Sequence, residues 1–172
     1  MKNLTGAVLK AVKFDPTLFT LLEEDKKAIS GVLEIYFIFA LSAGIGSVGR
    51  IGLLGIVAGA IGAVIRWAAL FYLVYLISKK YGSPDMEQNF LETVKYFILA
   101  VSPGILRVTG FLPGFYYPVF VISTLWMLGI TAFIADRLFK INDIIKTGGI
   151  CLISWLITYL GAKLIGFSIF SF

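Results

Sequence analysis

At 172 residues the chain has room for one domain, yet 59% of it is apolar, 15% is charged and its mean hydropathy is +0.93. A soluble domain sits nearer about 45–50% apolar and about 25% charged, because a chain this small must expose much of its surface to water. The net charge is +5, with one cysteine and no histidine, which excludes an intramolecular disulfide and the usual zinc sites and removes the commonest general base.

From the N-terminus, residues 1–27 form a cytoplasmic segment distinct from the apolar remainder of the chain. Leu4, Ala7, Val8, Ala11 and Val12 fall at helical spacing, with Lys2, Lys10 and Lys13 elsewhere on the circumference. That pattern predicts an interfacial helix on an anionic leaflet, the plain alternative being a flexible tail. Asp15 before Pro16 reads as an N-cap and first-turn proline opening a second short helix, Thr17–Asp25. Its Leu18, Leu21 and Leu22 are expected to face the membrane or the bundle. A continuous apolar core and a small-residue cleavage site are both missing, so this segment does not read as a signal peptide.

Residues 28–172 contain five stretches of the length, about 20 residues, that a helix needs to cross hydrocarbon. These are Ala28–Val48, Ile51–Ile77, Phe90–Phe111, Tyr116–Ala135 and Thr147–Ile165. The fold class is therefore all-α: a polytopic membrane protein, a compact bundle of five transmembrane helices preceded by one or two short interfacial helices. In lipid, small residues and polar contacts decide which helix faces meet. Gly52, Gly55, Gly59 and Gly62 lie within about 40° of one another at about 100° per residue, and Arg66 projects from the same face. The third stretch carries Gln88, Lys95 and Ser102 on one face with Glu92 beside them. Thr147, Cys151, Ser154, Thr158 and Gly161 form a stripe on the fifth, where Cys151 reads as a packing residue. Structural packing or a transport path would each explain these stripes. Pro103 marks a kink and Pro113-Gly114 a tight turn.

Lysines and arginines set the orientation. With the N-terminus inside, the inner side carries Lys2, Lys10, Lys13, Lys26, Lys27, Lys79, Lys80, Arg137, Lys140 and Lys146, against Arg50, Arg107 and Lys163 outside. The basic residues thus anchor loops and do not form a nucleic-acid face. Glu34, Arg66 and Lys95 lie within spans and Arg107 near a span end, where a charge normally pairs or faces water. Glu34 is expected to pair with Lys95 or Arg66, leaving one cation to hold a lipid phosphate or a small anionic solute. Snorkelling to the headgroups is the plain alternative, above all for Lys95. Asp136 and Asp143, between the fourth and fifth stretches, read as loop solvation and helix capping.

The stretch SPGILRVTGFLPGFYYPVFVISTLWMLGITAFIADR (Ser102–Arg137) resembles the Yip (Ypt-interacting protein) domain family in its prokaryotic branch. The matching features are Pro103-Gly104, Pro113-Gly114, Trp126 midway along the fourth stretch, and the basic segment Arg137–Lys146. Upstream, FDPTLFTLLEED (Phe14–Asp25) is similar to the family's opening motif, and Ile65–Tyr81 with Trp67 and Tyr75 also fits. The resemblance implies five membrane helices and a cytoplasmic N-terminus. Eukaryotic members are associated with Rab-type GTPases, but the DLYGP-type motif and the long cytoplasmic arm of those relatives are missing here.

Three functions compete on the sequence. A membrane adaptor or organiser would bind lipids, expected to be anionic, or itself as a homo-oligomer, or another membrane protein. A small transporter or channel would use Glu34, Arg66 and Lys95 as a path, though no inverted repeat supports it. An intramembrane enzyme lacks a metal-ligand cluster, a nucleophile elbow and paired catalytic carboxylates. The expectation is a non-enzymatic organiser in the cell membrane, without cofactor or metal.

Overall fold

A computed structural model describes residues 2–24, 28–83 and 89–164, and all regular elements among them are helical. They are α1 (Lys2–Val12), α2 (Leu18–Glu24), α3 (Ala28–Ile51), α4 (Leu54–Tyr81), α5 (Phe90–Leu99), a 3₁₀ segment (Ser102–Phe111), α6 (Tyr116–Leu138) and α7 (Ile144–Leu164). Lys26, Lys27, Gln88 and Ile165 lie outside the described residues.

Among the described residues four helices, Gly31–Ile51, Leu54–Tyr81, Tyr116–Leu138 and Ile144–Leu164, are long and apolar enough to cross a membrane. The bent pair Phe90–Leu99 and Ser102–Phe111, counted as one span, makes a fifth. This is a multi-pass membrane protein. Short links make sequential helices antiparallel neighbours, so Lys79, Lys80, Arg137 and Lys146 collect at one end of the bundle, the basic end.

The glycine stripe of the second crossing brings two backbones together. A Cβ on Gly55 would lie 2.7 Å from the Ser47 carbonyl, and one on Gly59 would lie 2.6 Å from the Ser47 hydroxyl, so α3 and α4 touch almost backbone to backbone. Tyr36 donates to the Val64 carbonyl at 2.8 Å, which fixes the same antiparallel register nearer the basic end. Gly62 is also buried. Gly52 departs from the stripe. It precedes α4, is exposed with φ +69°, and lets the chain reverse in a two-residue link. Gly114, with φ +82°, serves the same purpose after Pro113 in the exposed turn before α6.

The third crossing differs from a helix kinked at Pro103. The α-helix ends at Leu99, the axis bends by 49°, and the remaining turns are 3₁₀. Pro103 has no N–H to offer, and α3 presses on the segment from the side. A Cβ on Gly46 would run into the Arg107 carbonyl, and one on Gly49 would lie 2.9 Å from that of Gly110. Gly104 is seated against Phe39 and Met127. Runs of 3₁₀ helix this long are uncommon. The rise of about 2.0 Å per residue carries ten residues through about 20 Å, enough to complete the crossing.

An aromatic chain forms the core, running Phe39–Trp67–Phe71–Phe97 with centroids 6.2, 5.6 and 5.4 Å apart. At the basic end Tyr75 meets Phe90 and Phe139. The link after α6 places Lys140 and Asn142 at positive φ, and Asp143 caps α7 by accepting from the Ile145 and Lys146 amides. Asp136 accepts from the Asp143 amide and the Thr147 hydroxyl, so this aspartate pair holds the turn, as the sequence indicates.

Both short N-terminal helices form; the face of α1 expected to lie on lipid meets protein, and Leu18 and Leu22 of α2 turn to the bundle, one of the two sides expected for them, while the side chains of Leu4 and Leu21 lie outside the described residues. Ala7, Ala11, Leu18 and Leu22 are buried in the main core cluster, whereas Leu9 is 53% exposed. Trp126 donates to the Val12 carbonyl at 3.4 Å, Phe14 packs edge-on to Phe133, and Phe19 lies against Tyr96. The alanine face expected to meet lipid is small, and small residues admit close helix contact. It covers the flank where α5 stops short. Asp15 holds the turn into α2, accepting from the Thr17 amide at 2.9 Å and hydroxyl at 2.8 Å. These bonds, with Lys10 and Lys13 nearby, lower its pKa below the usual carboxylate value.

Replacing Gly55 with leucine should lower the thermal unfolding midpoint in detergent sharply, overpacking costing about 1–3 kcal/mol or more, whereas Gly148→Ala, with open space around it, should be neutral or stabilising. A depressed folded-state pKa gives stability that is present above the unfolded value and lost as pH falls through the folded one. The α2 turn should therefore hold at neutral pH and fray only in acid below the ordinary carboxylate range, seen as faster amide exchange at Thr17.

Candidate functional site

The charges prominent in the sequence separate into two groups. Glu34 stands on the exposed flank of α3 with Leu33 and Phe37. Val32, Ile35 and Phe39 face the core, and at about 100° per residue Glu34 lies on the other side of the helix. Among the described residues no ion pair joins it to Lys95 or Arg66, so the expected pairing is not formed. Lys95 is partly buried with its ammonium 5.0 Å from the neighbouring Tyr96 ring, in the half of the bundle nearer the basic end. Neither residue belongs to the candidate site.

The second group lies in the opposite half. Arg107, placed by the sequence near a span end, is only 4% exposed. Its Nε donates to Ser123 Oγ at 3.0 Å and its Nη2 to Thr124 Oγ1 at 2.7 Å. The guanidinium lies 4.7 Å from the Phe120 ring centroid and 5.5 Å from that of Phe39. Both hydroxyls also donate to the Phe120 carbonyl, so each turns its lone pairs toward the arginine. Adjacent hydroxyls on one turn of α6 and two nearby aromatic rings line the guanidinium.

Arg66 reaches across to α7. Its guanidinium lies 5.9 Å from both the Trp155 and the Tyr159 rings, which stack on each other at 5.5 Å. Lys163 sits one turn further along α7, 4.8 Å from the Tyr159 ring. Arg66 and Arg107 border a common cavity of about 20 Å³ with Ser47, Gly59 and Gly62, space for a single water. The stretches that build this half, 40–70, 100–125 and 152–164, contain no aspartate or glutamate.

Geometry around α7 is equally uneven. Its buried residues are Thr147, Ile150, Cys151 and Ser154, all in the half nearer the basic end. Beyond Ser154 a half-open cleft of about 450 Å³ separates it from α6, and a second of about 410 Å³ separates it from α4. The first runs between Tyr116, Phe120, Thr124 and Leu128 on one wall and Leu152, Trp155 and Tyr159 on the other, with Arg50 and Lys163 at its end. Of the stripe along α7, Cys151 is buried as a packing residue, while Thr158 and Gly161 border the second cleft.

Arg66 and Arg107 stand out in the sequence, but Arg50, Trp155, Tyr159 and Lys163 do not stand out there as parts of the same site. A signal is present: Trp155, Tyr159 and Lys163 recur every four residues and so share a helix face. Of the other residues singled out, Pro103 and Gly104 set the 3₁₀ segment beside Arg107, Pro113 and Gly114 form the turn, and Trp126 anchors α1. Among the described residues no group of three or more His, Cys, Asp or Glu is placed to hold a metal ion. Comparisons of the chain with family models, with curated proteins and with solved structures give no match.

Arg107 and its hydroxyls offer a test of what holds the site. Arg107→Met should cost little, because Ser123 and Thr124 keep their bonds to Phe120. The double change Ser123→Ala/Thr124→Ala strips a buried charge of its acceptors and should cost about 3 kcal/mol or more. Unfolding midpoints in the same detergent would rank the two variants.

Proposed function

We propose that this chain is a non-enzymatic membrane organiser of the Yip type, which binds lipids, a second copy of itself or another membrane protein from within the bilayer. On this reading it resides in the cell membrane with its N-terminus and basic end in the cytoplasm. The lysine and arginine distribution supports that orientation, and the motifs around Pro103-Gly104, Pro113-Gly114 and Trp126 support the family assignment.

One observation carries the proposal. Arg50, Arg66, Arg107 and Lys163 occupy the half of the bundle away from the basic end, and the stretches that build that half hold no acidic side chain. An excess of one charge within a membrane is costly, at least about 2.5–3.5 kcal/mol for a central arginine or lysine, and so marks a place for an anionic group or for water. Transport is the weaker reading. The space between Arg66 and Arg107 is about 20 Å³, room for one water and not a path.

Native mass spectrometry from mild detergent tests the proposal. Retained phospholipid, a second chain, or both is the expected result, with retention reduced in Arg66→Leu. A bare monomer under every mild condition would overturn it.

A further inference from the structure

Three clefts flank α7: one of about 600 Å³ between α4 and α7 at the basic end carries Lys80 and Lys146, and the two in the other half are unlike each other in charge. In that half the α4–α7 cleft is lined by Ile65, Ala69, Leu73, Ile157 and Ala162 and touches charge only at Arg66. The α6–α7 cleft instead has a polarity gradient along its length. Its inner end, at Leu125, Leu128 and Leu152, is aliphatic; its middle is aromatic, at Phe120, Trp155 and Tyr159; and its far end carries Arg50 and Lys163. Arg50 and Lys163 each lie in the last turn of their own helix, which puts both at the level where α3 and α7 leave the hydrocarbon.

Length agrees with charge. From Leu152 to Lys163 the α7 wall rises through eleven residue steps, about 17 Å at 1.5 Å per residue. One leaflet of a bilayer with a hydrocarbon core of about 30 Å is about 15 Å deep. The cleft opens sideways, for Tyr117, Val121, Leu125 and Leu152 along its edges are all more than half exposed. A lipid can enter it from the bilayer, with the chain parallel to the helices and the headgroup at the surface.

We infer that the α6–α7 cleft is a binding site for an anionic phospholipid of the leaflet at the Arg50–Lys163 end, one acyl chain lying between the helices and the phosphate held by Arg50 and Lys163. This rests on the organiser reading and names the lipid class for it. The Arg66 guanidinium and the Lys163 ammonium lie 5.9 and 4.8 Å from the Tyr159 ring centroid, so both add positive potential to the aromatic wall of the cleft. A zwitterionic headgroup gains less here, since its own cation is repelled by the same charges. A free phosphate ion would satisfy Arg50 and Lys163 but leave the apolar length of the cleft without an occupant, and for that reason the lipid is the ligand.

Trp155 supplies the test, since it borders the cleft. The full chain is reconstituted in vesicles of phosphatidylcholine containing a minor fraction of either phosphatidylglycerol or phosphatidylcholine brominated on its acyl chains. Brominated phosphatidylglycerol should quench tryptophan emission several-fold more than the brominated zwitterionic lipid. That excess should vanish in Trp155→Phe and in Arg50→Gln/Lys163→Gln, and should persist with inorganic phosphate added. Native mass spectra from the mixed vesicles should show the same preference, lost in the double variant. Equal quenching by both lipids while spectra still retain lipid would overturn the cleft assignment and leave the organiser reading standing. Loss of the excess on adding inorganic phosphate would also overturn it, by making the ligand a free anion. Neither quenching excess nor any retained lipid or second chain would remove both.

Discussion

Arg107 is a guanidinium buried within the third crossing, and wherever the chain places such a group the surroundings must supply acceptors or π faces. Ser123 and Thr124 supply the acceptors, from neighbouring positions on α6, and Phe120 and Phe39 supply the faces from two different helices. That requirement explains several features that would otherwise look unrelated. The segment carrying Arg107 must lie against α6 and α3 at once, and it does so as a 3₁₀ helix with its carbonyls pressed on Gly46 and Gly49. A side chain at either glycine would push the segment away and lift the guanidinium off Phe39. The bend after Leu99 gives that approach its angle.

In the same half of the bundle α7 has no fully buried residue beyond Ser154 among the described residues. Near the basic end α7 is fixed by its Asp143 cap, by Thr147 on Asp136, and by the buried run through Ser154. Beyond it, contact with α4 passes through the guanidinium of Arg66 on two stacked rings. A cation–π contact at such a partly lipid-exposed place contributes about 0.5–2 kcal/mol, less than a well-packed helix seam. Polar caps and buried side chains thus fix α7 near the basic end, although an open cleft of about 600 Å³ with Lys80 and Lys146 lies between α4 and α7 there too.

Much of the architecture is legible in the chain because hydrocarbon imposes so few solutions. Length and apolarity alone give the crossings, and Gly55, Gly59 and Gly62 identify the α4 face that meets α3. Features that escape a linear reading depend on partners distant in the chain. Gly52 fits the helical periodicity, yet the end of α3 at Ile51 makes it a turn. Depth alone pairs Glu34 with a cation, but its angular position around α3 turns it away from Lys95 and Arg66. The apolar face of α1 is plain in the sequence and its partner is not, since Trp126 lies more than a hundred positions from Val12. Distance from a span end places Arg107 near the surface, whereas its burial depends on two hydroxyls one helix later. Arg50 and Lys163 look like loop charges alone, because nothing in a linear count shows that the ends of α3 and α7 share a cleft.

We propose that an anion from outside the chain, the phosphate of a lipid, meets the cations of this half of the bundle. Phosphorus content measures this most directly. The protein would be exchanged exhaustively into a phosphorus-free detergent, extracted with organic solvent, and the extract examined by phosphorus-31 NMR. Phospholipid in stoichiometric amount, of the anionic class and reduced in Arg50→Gln/Lys163→Gln, is the expected result. Folded protein free of phosphorus would contradict the claim.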